Sequence, residues 1–365
     1  MGGSSDEWAS SIQQTFDGGY IVAGYTYSND GDVSGNHGNR DGWVVKLDAS
    51  GSLLWQKCLG GNSSDWARSI QQTSDGGYIV AGETHSNDGD VSGHHGNGDG
   101  WVVKLDASGN LLWQKCLGGS SYDSVSSIQQ TSDGGYIVAG STYSNDGDVS
   151  GNHGNDDSWV VKLDASGNLL WQKCLGGSNW DYAESIQQTS DGGYIVAGIT
   201  FSNDGDVSGY HGEGDGWIVK LDASGNLLWQ KCLGGSYREW AYSIQQTSDG
   251  GYIVAGYTNS NDGDVSGNHG GEDGWVVKLA PDNMSTEEIS VKAKIGIYPN
   301  PVKDVLHFTS KEPVLKAEIF DQNGRLIKTA EVLNNQLSVS SLSKGIYFLN
   351  LQTSKGKLKT KFIKE

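Results

Sequence analysis

Cysteine and proline are scarce in this 365-residue chain, which contains four of each. All four prolines lie at or after Pro281. The cysteines, Cys58, Cys116, Cys174 and Cys232, follow one another at a spacing of 58 residues. Equivalent positions in successive repeats of that length lie too far apart to form disulfides with one another. We therefore expect four buried free thiols that act as small apolar core residues.

Long apolar runs are also missing. No stretch approaches the roughly 20 apolar residues that a membrane helix needs, and Met1–Ser5 has neither the basic start nor the apolar segment of a signal peptide. Residues 1–280 contain 12 Lys and Arg against 35 Asp and Glu, whereas residues 281–365 contain 13 against 9. Because so acidic a body repels nucleic acid and anionic lipid, phosphate-binding functions are disfavoured and metal cations are better matched.

The first 280 residues are five copies of one unit. Their boundaries lie near residues 1–58, 59–116, 117–174, 175–232 and 233–280. In the first copy, four runs rich in β-branched and aromatic residues are separated by turn residues. These runs are Ala9–Thr15, Tyr20–Tyr27, Gly42–Asp48 and Leu53–Cys58. Long glycine-rich repeats of four antiparallel strands are typical of propeller blades, so we predict an all-β fold with a five-repeat β-propeller.

The fifth copy ends early. Its third run, Trp275–Leu279, leads into Ala280-Pro281 with no fourth strand, and Met1 aligns with Leu59 at the other end of the array. Propellers commonly close by completing one blade with a strand from the other terminus. We therefore expect the natural N-terminus to lie upstream, with the missing strand and a signal peptide encoded there.

Three segments characterise the unit, namely Tyr20–Gly24 (YIVAG), Trp43–Asp48 (WVVKLD), and Trp55 followed by Gly60-Gly61. In these segments the unit resembles the bacterial SBBP β-propeller repeat. The resemblance covers about residues 1–280. It implies the propeller fold and little about function, since such repeats occur in many secreted and surface proteins.

The C-terminal 70 residues carry a set of motif residues in a fixed order, Tyr298, Pro299, Asn300, Pro301, Gly324, Lys344 and Gly345. With these motifs the segment resembles the sorting domain of the type IX secretion system of Bacteroidota. That domain is a small immunoglobulin-like β-sandwich, which we expect over residues 295–365, after a linker at 281–294. The run Glu287–Val291 in that linker could instead serve as a substitute fourth strand. The resemblance implies export through the periplasm and outer membrane to the medium or the cell surface, and contact with the secretion machinery.

An acidic loop recurs between the second and third strands. In the first copy, Asp30, Asp32, Ser34 and Asp41 occupy positions 1, 3, 5 and 12 of a loop with glycine at position 6, nearly the spacing of a calcium loop. Ser at position 5 and Asp at position 12 weaken that match. The alternative is a polar turn, because Asp, Asn, Ser and Gly favour turns through local hydrogen bonds. Calcium stays an alternative for all five loops. The other candidate ligands are Asp88, Asp90, Ser92, Asp99, Asp146, Asp148, Ser150, Asp157, Asp204, Asp206, Ser208, Asp215, Asp262, Asp264, Ser266 and Asp273.

One histidine also recurs in each acidic loop, at residues 37, 95, 153, 211 and 269. Zinc takes three or four nitrogen or sulfur ligands, so a single histidine per loop is expected to be a hydrogen-bonding residue rather than a metal ligand.

The copies differ mainly at a few equivalent positions, which gather at the loop-bearing end of the first two strands. If Thr15 pairs with Tyr20, residue 10 faces residue 25 and residue 8 faces residue 27. Aromatic residues at such positions are typical of binding surfaces, although they also fill gaps between blades. The candidate ligand-binding residues are Trp8, Tyr25, Tyr27, Trp66, Tyr182, Trp240, Tyr242 and Tyr257.

Catalytic signatures are missing from the sequence. It contains no G-x-S-x-G, H-E-x-x-H, C-x-x-C or phosphate-binding loop. Acid and base roles also need two groups in different environments, which near-identical copies do not supply. We therefore expect a non-enzymatic secreted or surface protein that binds or adheres and needs no cofactor. The alternatives are a structural surface protein with calcium-stabilised loops and, third, an enzyme acting on extracellular polymers.

Overall fold

A computed structural model describes residues 1–281, 296–309, 314–321, 325–332, 335–353 and 356–365. The chain divides into two compact units, Met1–Asn283 and Met284–Glu365. Among the described residues every regular element is a β-strand, and no helix suited to crossing a bilayer is found. The proposed substitute strand, 287–291, and most of the linker lie outside the described residues.

The first unit consists of consecutive antiparallel sheets, each with strands in chain order. The first four sheets have four strands and the last has three. This propeller-like arrangement agrees with the predicted repeat. The strands are β1 Glu7–Gln14, β2 Tyr20–Thr26, β3 Asp41–Leu47, β4 Leu53–Leu59; β5 Asp65–Gln72, β6 Tyr78–Thr84, β7 Asp99–Leu105, β8 Leu111–Leu117; β9 Asp123–Gln130, β10 Tyr136–Thr142, β11 Asp157–Leu163, β12 Leu169–Leu175; β13 Asp181–Gln188, β14 Tyr194–Thr200, β15 Asp215–Leu221, β16 Leu227–Leu233; and β17 Glu239–Gln246, β18 Tyr252–Thr258, β19 Asp273–Leu279.

Each sheet packs its face against the next one. In the junction between the first and second sheets, Ile21, Ala23 and Val44 of the first pack against residues of the second that include Trp101 and Val103. The same arrangement recurs at the following junctions. All four cysteines are buried and free, as expected, and each lies on a fourth strand.

One irregularity in the strand pairing recurs in every sheet of the first unit. A bulge interrupts the β1–β2 ladder between Ala9 and Ser11, and the same shift occurs in the other four sheets. At the bulge the two strands come very close, because a Cβ added at Gly24 would collide with the carbonyl oxygen of Trp8. Only glycine fits at such a contact, which explains the glycine kept in every YIVAG-type strand.

Buried lysines tie the hairpin turns to the third strands. The ammonium of Lys104 lies 3.0 Å from Asp75 Oδ2 and also donates to Thr73 Oγ1 and the carbonyl of Leu105. Lys162 and Lys220 make the same set of contacts. A buried ammonium is stable only when its donors are satisfied in this way.

The two ends of the array are open. Val276 in the last sheet is 66% exposed, whereas its counterpart Val44 is fully buried. Ile12 in the first sheet is 67% exposed, whereas its counterpart Ile70 is 5% exposed. The first and fifth sheets therefore do not bury these residues against one another as neighbouring sheets do.

The second unit contains two antiparallel sheets among its described residues, ordered β20-β21-β24 and β23-β22-β25-β26. One cluster of buried side chains, including Phe308, Ile319 and Leu349, forms its core. The strands are β20 Gly296–Tyr298, β21 Val305–Thr309, β22 Val314–Phe320, β23 Leu326–Glu331, β24 Gln336–Ser338, β25 Gly345–Thr353 and β26 Gly356–Lys364. Of the predicted sorting motif, Gly324 lies outside the described residues.

Candidate functional site

The variable aromatic residues lie at one end of the sheets, as predicted. Trp8, Trp66, Tyr182 and Trp240 are each the second residue of a first strand. Glu7 pairs with Thr26 at the end of β2, so the acidic loop leaves from the same end. The first strands also contact one another from sheet to sheet. This end of the inner strands is therefore where side chains of different sheets can meet.

The predicted register of these residues is wrong. Gln14, not Thr15, pairs with Tyr20, and Trp8 faces Tyr25 instead of Tyr27. The first error arises because Thr15 belongs to the turn, where its amide donates to the carbonyl of Gly19. The bulge at Ser10 then adds a second residue of shift.

Arg40 joins the aromatic side chains of the first two sheets. Its guanidinium carbon lies 3.5 Å from the ring centre of Trp66, 5.1 Å from that of Tyr25 and 5.2 Å from that of Tyr27. Its Nη1 also donates to the Tyr27 hydroxyl at 2.8 Å. Such cation–π contacts hold a guanidinium in place without neutralising it.

A hollow of about 370 Å³ has Trp66, the ring over which Arg40 lies, in its lining. It is lined by Asn39, Ser63, Ser64, Trp66 and His85. The Asn39 amide donates to Ser64 Oγ at 3.2 Å, and the His85 ring lies 5.5 Å from that of Trp66. We call this hollow together with Arg40 the rim site. It combines an indole surface with small hydroxyl and amide groups, and its lining contains no carboxylate.

A buried carboxylate holds one of the residues that line the rim site. Glu83 is 2% exposed and accepts from Arg68 Nη2 at 3.1 Å, while its other oxygen lies 2.8 Å from His85 Nε2. The Glu83 carboxylate thus has two hydrogen-bonding partners, which compensate for the cost of burying its charge. Its contact with His85 fixes the orientation of one wall of the hollow.

A second aromatic cluster lies on the fourth and fifth sheets. The Trp240 ring stacks on Tyr182 at 6.1 Å and on Tyr242 at 5.6 Å, and Tyr257 lies 6.5 Å away. The indole N–H of Trp240 donates to Glu184, whose pKa is raised by burial. Of the predicted ligand-binding residues, Tyr25, Tyr27 and Trp66 thus lie together around Arg40. Another four lie together in the second cluster, namely Tyr182, Trp240, Tyr242 and Tyr257. Trp8 stands apart and is 64% exposed.

The four candidate calcium ligands of the first loop have separate partners. Asp30 Oδ1 accepts from the amide of Ser4 at 2.7 Å, and Ser34 Oγ accepts from Gln56 at 2.8 Å. Asp32 Oδ2 accepts from the amide of Gly2. The Asp30 contact lowers the pKa of that carboxyl. These bonds tie the loop to the preceding connection and to the outer strand, as a structural turn would.

The last loop position is bound to the recurring histidine. Asp41 Oδ2 accepts from the amide of His37 at 3.0 Å and lies 2.6 Å from its Nδ1. Burial raises the pKa of Asp41, and the histidine contacts oppose that rise. The same pair recurs in the other loops, between residues 95 and 99, 153 and 157, 211 and 215, and 269 and 273.

Some carboxylate oxygens near these loops are buried without a hydrogen-bond partner among the described residues. They are Asp41 Oδ1, Asp90 Oδ2, Asp99 Oδ1, Asp148 Oδ2, Asp156 Oδ1 and Asp157 Oδ1. Calcium takes six to eight oxygens. Over the described ranges, no group of three or more His, Cys, Asp or Glu side chains has an arrangement suited to a metal ion.

Sequence reasoning missed several residues of the rim site, namely Arg40, Asn39, Ser63 and Ser64. The sequence did contain a signal for the arginine, because the equivalent positions of the five copies vary strongly. They are Arg40, Gly98, Asp156, Gly214 and Glu272. No other set of equivalent positions at the loop-bearing end of the strands combines a cation, two carboxylates and two glycines.

Comparison with known proteins identifies the tail. Residues 296–365 match the family described as "Secretion system C-terminal sorting domain". The chain therefore carries a type IX sorting domain at its C-terminus, which implies interaction with that machinery and export to the medium or the cell surface.

The other similarities to known proteins are more distant. A stretch of 188 residues is 30% identical to regulatory protein FlaEY of Caulobacter vibrioides, covering 48% of this chain and 19% of that protein. BamB of Moraxella catarrhalis is 15% identical, with 98% of this chain and 100% of that chain covered, at a TM-score of 0.38. PorZ of Porphyromonas gingivalis, a surface component of the type IX secretion system, is 11% identical over 98% and 51%, at a TM-score of 0.29. Scores this low carry no argument of their own.

Proposed function

We propose that the protein is a secreted or surface-associated binding protein, without catalytic activity, whose first unit recognises an extracellular ligand through the rim site. The observation that carries the proposal is the hollow at Trp66 and Arg40, where an indole, a cation and several small polar groups converge. Binding sites combine an apolar surface with a few placed polar groups in this way. The exported location implied by the sorting domain is where such a ligand would be met.

The finer features of the fold belong to the same proposal. The first unit is a five-repeat β-propeller of the SBBP type whose last blade lacks its fourth strand, and the second is an immunoglobulin-like sandwich that Bacteroidota cargo uses for export. Support comes from the repeated antiparallel sheets and from the two sheets of the second unit. Full-length gene sequence and the mass of the mature protein from the source cells test the export steps, including removal of the tail.

Replacing Trp66 by Ala is expected to abolish binding to an array of extracellular polysaccharides and glycans. The substitution removes the aromatic contact surface of the rim site, and aromatic residues dominate binding energies at such sites. Leu112→Ala is the matched control, since Leu112 is 57% exposed on an outer strand away from the rim. Circular dichroism confirms that the variants fold. Binding that survives Trp66→Ala unchanged contradicts the proposal, and hydrolysis of any polymer on the array favours the enzyme.

A structural surface protein with calcium-bound loops is the second candidate. The unpartnered buried oxygens near the acidic loops favour it. A single calcium ion would have to gather more oxygens than those loops bring together, because the loop carboxylates are hydrogen-bonded to separate backbone segments.

Adding millimolar calcium is therefore expected to leave the melting temperature unchanged. A ligand that binds only the folded state raises the midpoint in proportion to the logarithm of its concentration. Differential scanning calorimetry with calcium and with a chelator separates the candidates, with magnesium as the control for ionic strength. A midpoint that rises with calcium alone supports the structural candidate.

A further inference from the structure

We propose that the rim site binds a saccharide that bears a carboxylate group, with Arg40 as the residue that recognises the charge. This inference rests on the proposed function and names the chemical class of the ligand. Within residues 1–280 only 12 side chains are cationic, against 35 that are anionic. A cation held over the Trp66 ring, which lines a hollow without a carboxylate in its lining, is therefore a local exception to the charge of the whole unit.

Arg40 keeps its charge available. No ion pair links it to a carboxylate among the described residues, whereas Arg68 of the next sheet pairs with Glu83 at 3.1 Å. Its contacts are instead the faces of three aromatic rings and one hydroxyl. The Nε–H is buried and has no partner in the part of the chain that the structure describes.

The geometry of the stack suits a carboxylate. A guanidinium carries its N–H donors in its own plane, so stacking on Trp66 at 3.5 Å leaves those donors directed along the ring surface rather than into it. A planar carboxylate beside the indole can then accept two parallel hydrogen bonds, the pairing for which arginine is better suited than lysine.

The rest of the lining suits a saccharide better than a peptide. Asn39, Ser63 and Ser64 offer hydroxyl and amide groups at short spacing, which match ring hydroxyls. The indole of Trp66 offers an apolar surface for the C–H groups of a sugar ring. Peptide recognition would instead use a strand edge or an apolar groove, and the hollow offers neither.

The position of Arg40 in the repeat carries a cation at one junction. The equivalents of Arg40 at the next three junctions are Gly98, Asp156 and Gly214, none of which can attract a carboxylate. We therefore expect one such anion-binding site per chain rather than one at each of the four junctions. Arg238 gives a matched control, since its guanidinium also lies over an aromatic ring, Phe201 at 5.2 Å, but outside the rim site.

The test measures binding of the full chain to carboxylated oligosaccharides, namely galacturonate, glucuronate, mannuronate and sialylated oligomers, and to their carboxyl-reduced counterparts. Polyglutamate tests the peptide alternative. At least one carboxylated oligomer is expected to bind about tenfold or more tightly than its reduced form, with an affinity that falls as salt rises. Arg40→Gln is expected to remove that difference and Arg238→Gln to preserve it.

Each outcome decides the matter. Equal binding of acidic and reduced oligomers, or no effect of Arg40→Gln, overturns the carboxylate proposal. If Trp66→Ala still abolishes binding in that case, the proposed binding function at the rim site stands. Polyglutamate bound as tightly as the acidic oligosaccharides also overturns it. No binding by any oligomer overturns it together with the saccharide form of the proposed function.

Discussion

Replacing Asp156 by Asn is expected to stabilise the protein by about 2–3 kcal/mol near pH 8 and to change almost nothing near pH 3. Asp156 is 1% exposed, and its Oδ1 has no hydrogen-bond partner among the described residues. Burial, together with the nearby carboxyls of Asp123, Asp157 and Asp181, raises its pKa to about 8. The folded state therefore holds a proton that the unfolded state has already lost.

The sign follows from that difference. Between the ordinary pKa of 3.8 and about 8, the folded carboxyl binds more protons than the unfolded one, so stability falls as the pH rises through this window. The ceiling on the loss is roughly 6 kcal/mol, and relaxation and water entry around a buried charge reduce it in practice. An asparagine has no proton to lose and stays neutral, so the stability difference between variant and wild type grows with pH.

Chemical unfolding at a series of pH values measures this difference. Asp164→Asn is the control with the opposite sign, because the partly exposed Asp164 accepts from the side-chain amide of Asn168 and from two backbone amides in its turn, which lower its pKa. That variant is expected to lose stability above about pH 4. A difference between Asp156→Asn and wild type that does not vary with pH would contradict the burial of this carboxyl.

Replacing Trp159 by Ala is expected to cost about 3–5 kcal/mol, the usual cost of a large cavity in a core. Trp159 is fully buried in the junction between the second and third sheets, and its indole N–H donates to Gln172 at 2.9 Å. The substitution removes the packing surface and leaves the amide of Gln172 without this partner. A decrease in melting temperature on the order of 10 °C is expected for a unit of this size.

The last sheet offers an internal control for that substitution. Trp275 occupies the same position in a strand whose sequence differs only by Gly274 in place of Ser158, but its sheet has three described strands and the side chain is only partly buried. Trp275→Ala is therefore expected to cost less than half as much, since less surface is lost. Equal decreases in melting temperature for the two variants would show that the end sheet is packed like the others.

The repeated fold could be predicted from the sequence because the signal for each strand is present four or five times. Alternating apolar residues fix the strands, and the turn at Asp17–Gly19 fixes the first hairpin. The four fourth strands begin where predicted, as in Leu53–Leu59. The register could not be predicted, because it depends on whether Thr15 belongs to the turn and on a bulge that a carbonyl contact with Gly24 creates.

The candidate site was only half visible in the sequence. Variation among the copies identified Trp66 and Tyr25, since packing does not dictate those positions. Arg40 was missed because it contacts Trp66 of the next sheet, and patterns within one repeat do not show contacts between sheets. The same limit applies to Asp156, whose raised pKa depends on carboxyls from other strands and from the next sheet.

Hydrogen exchange of the full chain, with and without the saccharide that binds most tightly, tests binding at the rim most directly. The account predicts slower exchange in the segments that contain Asn39–Arg40, Ser63–Trp66 and His85, and the same exchange elsewhere on the five sheets. Protection confined to the outer strands, such as Leu111–Leu117, or to the second unit would contradict it.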